Sequence, residues 1–345
     1  MKNMNKKKFD FKDITIVPEI VSSISSRKEI NIFTEDKKLP LIVSPMDTVV
    51  DNENYFKFLN KDMVVCLPRG ESQINDVFWS LSLEDFDLII YNEIIMEADE
   101  PVHILVDIAN GHIEKLHNLC EKFVKQNKKN IHKLMVGNVA NPKTYATLSE
   151  IGVDYVRVGI GGGSGCLTSA NTGIHYPMAS LINESFKLKK TNNYKTKIVA
   201  DGGFKNYDDI IKALALGADY VMLGGILNKT LESCSQTKLF NLIPLNENIS
   251  NTIWIKYPFL RKYMYKNFRG MSTKEVQRKW GKLKLTTSEG ISKTNKVEYT
   301  LSQWVDNFND YLRSAMSYTN SRNLEDFKNC EIVFITKNAL ERFDK

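Results

Sequence analysis

The sequence predicts an α/β protein folded as a single (β/α)8 TIM barrel. Three observations predict it: eight short apolar runs, helix-patterned segments between them, and polar or glycine-rich signals directly after most of the runs. The runs are rich in Val, Ile and Leu and continuously apolar, the pattern of parallel strands buried on both faces. Alternation of strand and helix implies right-handed βαβ units. Signals behind most strand ends fit a barrel, which builds its site along the C-terminal rim. An open sheet would gather them at one crevice.

In chain order the candidate strands are LPLIVS (39–44), MVVCL (63–67), DLIIY (87–91), VHILVDI (102–108), KLMVGNV (133–139), DYVRVGI (154–160), KIVAD (197–201) and YVMLG (220–224). Segments such as KTYATLSEIG (143–152) and DDIIKALALGA (208–218) repeat apolar residues at helical spacing. The connection from Ile90 to Pro101 is short for a helical crossover, so a truncated helix is expected there. The rim signals are SPMD after the first strand, DIANGH after the fourth, GNV after the fifth, GIGGGSGCLT after the sixth, DGG after the seventh and GG after the eighth. Residues 226–300 interrupt the pattern and are expected to form a lid or flap inserted in one domain spanning 1–345. The C-terminal stretch holds two helical patterns, WVDNFNDYLRSAMSY and NLEDFKNC, then EIVFITKNAL, and no repeat or low-complexity linker marks a second domain.

Composition narrows the function classes. The 345 residues are 42% hydrophobic and 26% charged, ordinary values for a globular protein with a sizeable core. The formal charge of +6 comes from scattered lysines, clustered only at Lys6, Lys7 and Lys8. That is a solvated surface and not a nucleic-acid stripe, although it suits an anionic small substrate. The five cysteines (Cys66, Cys120, Cys166, Cys234, Cys330) are far apart and form no C-x-x-C pair, which argues against structural zinc and for free thiols in a reducing compartment. The first residues, MKNMNKKKFDF, lack a secretory apolar stretch, and no run approaches membrane-spanning length. A soluble cytoplasmic enzyme, engaging neither nucleic acid nor membrane, is expected.

The most informative segment is GIGGGSGCLT (159–168). A strand opening into a glycine-rich loop presents backbone N–H groups where an anion can sit. Ser164 adds a hydroxyl, Cys166 a nucleophile, and Thr168 a group for proton transfer. The plainer alternative is a glycine-rich turn beside a structural cysteine. Asp201 ends the seventh strand before Gly202 and Gly203; such a carboxylate can accept hydrogen bonds from a ribose diol, and the glycine N–H groups can meet a phosphate. Gly224 and Gly225 repeat the arrangement after the eighth strand. Each alone also reads as an ordinary turn; together they suggest a nucleoside monophosphate site. Asp107 in VDIANGH reads equally as a turn aspartate or a group that orients a cofactor or base. His103 and His112 have no partner at metal-ligand spacing, and Glu289 taken alone reads as a solvated carboxylate.

Ordered along the chain, SPMDTVVD (44–51), DIANGH (107–112), GNV (137–139), VGIGGGSGCLT (158–168), ADGG (200–203), VMLGG (221–225), FRGMS (268–272) and SEG (288–290) resemble the IMP dehydrogenase/GMP reductase family nearly end to end. The resemblance implies a barrel that binds a purine 5′-monophosphate and a nicotinamide cofactor. By the same resemblance Cys166 attacks C2 of the purine to form a thioimidate, and Thr168 and Glu289 move protons to the departing amine. Asp201 would hold the ribose, and Ser164, Gly202, Gly203, Gly224 and Gly225 the phosphate side. Gly270, Met271, Ser272, Ser288 and Gly290 would line the base. Asp107, Ile108, Ala109 and Gly161 would face the cofactor, with Ser26 and Arg27 reaching its distal end across a subunit interface of a homotetramer. Gly161, Gly163 and Cys166 match carbonyls that can hold a monovalent cation, K+, in this family.

Within the family the reductase branch is the closer. The short stretch between the second and fourth strands leaves no room for paired CBS regulatory modules, and STKEVQRKWGKLKLTTS between Met271 and Glu289 lacks the Arg-Tyr pair by which dehydrogenases activate water. DIANGH, TGIHYP (172–177) and the second glycine of LGG also look like the reductases. SPMD is the dehydrogenase spelling, GGGSGC departs from the usual GPGSVC, and Ser169 stands where an Arg is usual. The expected reaction is conversion of GMP and NADPH to IMP, ammonia and NADP+. The alternatives are an IMP dehydrogenase without CBS modules and a catalytically silent purine-nucleotide-binding barrel.

Overall fold

A computed structural model of the chain describes residues 7–91, 102–126, 133–163, 165–281, 287 and 290–342. Eight parallel strands close into a barrel: β1 (Leu41–Val43), β2 (Val64–Leu67), β3 (Phe78–Leu81), β4 (His103–Asp107), β5 (Lys133–Val139), β6 (Tyr155–Val158), β7 (Lys197–Asp201) and β8 (Tyr220–Leu223). The ring closes where β1 pairs with β8, Leu41 opposite Val221 and Val43 opposite Leu223. Ile42, Cys66, Phe78, Leu105, Met135, Tyr155, Val199, Tyr220 and Met222 fill the barrel interior. The alternate residues of the strands join the helices in a larger outer core. Burial on both faces is why these strands read as unbroken apolar runs.

One strand lies elsewhere than expected. The third strand is Phe78–Leu81, and DLIIY (87–91) belongs to the helix Leu83–Tyr91. The reason is periodicity. Phe86, Ile89 and Ile90 are buried at helical spacing, while Leu88 and Tyr91 face solvent. Ser82 starts the helix, its hydroxyl accepting from the Asp85 backbone N–H at 3.0 Å while Asp85 accepts from the Ser82 N–H at 3.2 Å. FWSL supplies the strand because Phe78 packs into the barrel against Tyr155, with ring centroids 5.4 Å apart. The truncated helix expected between Ile90 and Pro101 falls on residues 92–101, outside the described residues.

Residues 226–300 hold regular secondary structure in their described parts. They contain an antiparallel sheet of β9 (Thr237–Leu239), β10 (Ile243–Pro244), β11 (Met264–Arg269) and β12 (Ser292–Lys296), with the helix Glu247–Lys256 between its second and third strands. The sheet has its own small core of Leu245, Ile253, Trp254, Met264 and Val297. Near the C-terminus, the helix Leu301–Tyr318 buries Trp304, Val305, Phe308, Leu312 and Met316 along one face. The strand Ile332–Phe334 pairs with Ile14–Ile16, tying the two ends of the described chain together. No helix among the described residues is long and apolar enough to cross a membrane.

Candidate active site

The strand ends converge on one cavity of about 590 Å³ at the C-terminal rim. Its walls come from the SPMD loop (Ser44, Met46), the DIANGH loop (Asp107, Ile108, Ala109), the glycine loop (Gly161, Gly163, Cys166, Thr168), the DGG turn (Asp201, Gly202, Gly203), Gly224 with Gly225, and the segment Gly270, Met271, Ser272. That volume suits a ligand the size of a nucleotide.

The glycines of the sixth loop are there because backbones meet. Gly159 has φ +134°, and a Cβ there would lie 2.2 Å from the Asp201 carbonyl oxygen. Only glycine lets β6 turn into the loop while touching the end of β7. The loop then delivers Cys166, whose thiol donates to the Thr168 hydroxyl at 3.2 Å. Cys166 is half-buried in the cavity wall and forms an antiparallel bridge with Gly290. The other four thiols are all pushed up by burial, Cys120 to about 12 and Cys330 to about 11, with Cys66 and Cys234 higher still. They are inert packing groups by comparison.

Part of the cavity lining is an ion cluster. Arg157 is buried inside the barrel and donates to Asp107 at 2.6 Å and to Asp201 at 2.9 Å. Burial works to lower its pKa, but Asp201 and Asp107 more than compensate and the guanidinium is held charged. Asn138 also donates to Asp201, at 2.8 Å, and to the Gly159 carbonyl at 2.8 Å. The carboxylates expected to meet ribose and cofactor are thus joined by one shared cation. DYVRV carried the signal: a lone Arg in a strand buried on both faces needs partners there. Reading it as an unbroken apolar run missed Arg157, and with it Asn138.

Past Asp107 the cavity runs to Arg69, Leu83, Glu84 and Trp280. The Arg69 guanidinium stacks over the Trp280 ring, 4.7 Å from its centroid. Its Nε lies 3.6 Å from Asp107 and is buried without a hydrogen-bond partner, as is Nε of Arg157. Two orphaned donors and an aromatic face along the same wall fit a nicotinamide nucleotide.

Two other expected site residues, Ser26 and Arg27, do not line this cavity. Ser26 and Arg27 are exposed and begin a short 3-10 turn, Arg27–Glu29, that packs near the helix Leu301–Tyr318. Ser164, Ser288 and Glu289 lie outside the described residues. For the cation set, the Gly161 carbonyl accepts from the Ser169 hydroxyl at 2.9 Å, and the Gly163 carbonyl accepts from the Cys166 N–H at 3.0 Å. One internal donor therefore already reaches each of these two carbonyls.

Residues 92–247 match the model of the IMP dehydrogenase / GMP reductase domain. Over nearly its whole length the chain is also similar to known GMP reductases. It is 26% identical to that of Onchocerca volvulus, covering 98% of this chain and 94% of the relative, and 26% identical to that of Caenorhabditis elegans, covering 98% and 95%. The Lactobacillus acidophilus enzyme is 25% identical over 96% of both chains. Eight-stranded barrel, rim cavity, nucleophile loop and matched sequence all agree in their likeness to the IMP dehydrogenase/GMP reductase family.

Proposed function

We propose that this protein is a GMP reductase, converting GMP to IMP and ammonia at the expense of NADPH. The observation that carries the reading is the Cys166 thiol hydrogen-bonded to Thr168 in the wall of a cavity otherwise lined by glycine turns and Asp201. Glycine N–H groups at Gly203, Gly224 and Gly225 suit a phosphate, and Asp201 suits a ribose diol. Binding at these remote groups fixes C2 of the purine against Cys166.

In this mechanism the Cys166 thiolate adds to C2 and ammonia leaves, giving a thioimidate on the enzyme. Ammonia is a poor leaving group until protonated, so an acid must act there. Thr168, 3.2 Å from the sulfur, is placed to pass a proton. Glu289 is proposed as the ultimate acid, on the strength of the Ser-Glu-Gly motif it shares with the family. The nicotinamide cofactor, when bound, supplies hydride to C2. Arg69, Asp107, Ile108 and Ala109 would hold it; once C2 carries the added hydrogen, the C2–S bond breaks, its electron pair leaving with the Cys166 thiolate as IMP forms. No step is routed through a monovalent cation.

SPMD, the dehydrogenase spelling, favours an IMP dehydrogenase without CBS modules as the second reading. A spectrophotometric assay separates them. NADPH oxidation with GMP supports the reductase; NAD+ reduction with IMP and formation of XMP overturns it in favour of the dehydrogenase. GMP binding without turnover of any purine nucleotide would leave a silent binding barrel.

A further inference from the structure

The Asp47 and Arg269 side chains join two segments that no strand pairing joins. Asp47 lies in the loop after β1, and Arg269 ends β11. Arg269 donates to both oxygens of Asp47, Nε to Oδ1 at 3.1 Å and Nη2 to Oδ2 at 2.6 Å. The Asp47 side chain is only 5% exposed. A two-pronged Arg–carboxylate fork fixes orientation as well as distance, which a Lys cannot do. The remaining arm of Arg269 donates to Glu275, and Lys279 lies 3.6 Å from Asp47. Both come from the helix Lys274–Lys279, which with Trp280 just after it brings Gln277 and Trp280 into the cavity wall.

The residues on either side of this fork touch the nucleophile loop. Gly270 follows Arg269, and a Cβ on Gly270 would lie 2.2 Å from the Gly165 carbonyl oxygen. The Gly270 N–H donates to the Ile291 carbonyl at 2.9 Å, and the Ile291 N–H donates to that of Gly165 at 3.1 Å. Gly290 in turn bridges to Cys166. On the other side Met46 packs against Gly224, where an added Cβ would come within 2.5 Å of its sulfur. Neither charged group is itself a cavity-lining residue.

We propose that Asp47 and Arg269 are positioning residues: their fork holds the base-lining segment Gly270–Ser272 at a fixed height against the loop that carries Cys166. The inference rests on reading the cavity as the active site, so its test needs a readout that does not require turnover. That readout is the rate at which iodoacetamide alkylates Cys166 in the purified full-length protein, followed by peptide mass spectrometry. Activity is measured alongside it.

The variants are D47N, R269Q, R269K and the double variant D47N/R269Q, each checked for an unchanged circular dichroism spectrum. Loss of the fork loosens the wall over Cys166, so each of the first two should be alkylated at least about threefold faster. Each should lose about tenfold or more in kcat, with a smaller change in KM for GMP, because misplacement of order 1 Å can cost that much. The double variant should be no worse than the worse single one, the mark of two residues acting as a unit. R269K should recover part of the loss, and it carries the test if R269Q fails to fold. Alkylation within twofold of wild type in D47N and R269Q, or effects that multiply in the double variant, would overturn the proposal. If the wild type turns over no GMP but the alkylation pattern holds, the reductase reading fails and the fork stands.

Discussion

At the residue scale, the proposed chemistry rests on Cys166. Its thiol lies in the cavity wall beside a hydroxyl partner, while burial pushes the pKa of the other four thiols up. Cys166→Ala removes the nucleophile but none of the glycine or Asp201 contacts. Turnover should therefore vanish, and GMP should still bind within about tenfold of wild type by calorimetry. Comparable turnover by the alanine variant would remove covalent catalysis from the mechanism. The motif glycines, Cys166, Thr168, Asp107 and Asp201 were legible in the sequence because each sits in a short run whose chemistry is local. Arg157 and Asn138 were not, because their role depends on neighbours across the barrel: Asp107 and Asp201 lie 50 and 44 positions from Arg157. A buried charge announces that partners exist, but not which ones.

At the element scale, seven of the eight strands were readable, since parallel strands buried on both faces leave continuous apolar text. The third was misplaced because a five-residue apolar run such as DLIIY fits one face of a helix as well as a strand. The aromatic FWSL segment before it carried the better strand signal. The elements are also pinned at the opposite end of the barrel from the site. Asp219, just before β8, accepts from the Ile198 N–H at 2.7 Å and pairs with Lys189 at 2.5 Å and Lys328 at 2.8 Å. These lysines come from the helix Met178–Asn192 and from the end of the helix Leu324–Phe327. Burial alone would raise the Asp219 pKa, but Lys328 and Lys189 hold it below the usual carboxylate value. The unfolded chain therefore binds the proton more readily. The stabilisation is complete above the unfolded value of about 3.9 and is lost as pH falls through the lower folded one. Asp219→Asn leaves two lysines facing a neutral amide and should cost about 3 to 5 kcal/mol in urea unfolding at pH 7. The gap from wild type should narrow as pH falls below about 4. Equal stability at pH 7 would show that the cluster contributes nothing.

At the scale of the whole molecule, one chain leaves part of the proposed site unaccounted for. Ser26 caps its turn by accepting from the Lys28 N–H at 3.3 Å, and Glu29 of the same turn is held by Arg322 at 2.7 Å. The turn is thus fixed in place while Arg27 remains exposed and outside the chain's own cavity. A residue fixed in position but absent from its own site is suited to serve a neighbour's. In the four-stranded insertion Leu242, Ile243, Ile255 and Phe259 are exposed, and the Phe240 and Tyr263 rings lie with centroids 4.9 Å apart. The expected assembly is a homotetramer in which Arg27 of one subunit meets the cofactor held by the next. Arg27→Ala should then raise KM for NADPH by about tenfold, the loss of one charge-assisted hydrogen bond, and leave KM for GMP and thermal stability nearly unchanged. Activity per chain should also fall on dilution below the assembly constant, because the site is completed by mass action. Light scattering that finds a monomer with full activity at assay concentration, or an Arg27→Ala variant with unchanged NADPH dependence, would put the cofactor site within a single chain. The distal end of the cofactor would then lie against Arg69 and Trp280 alone.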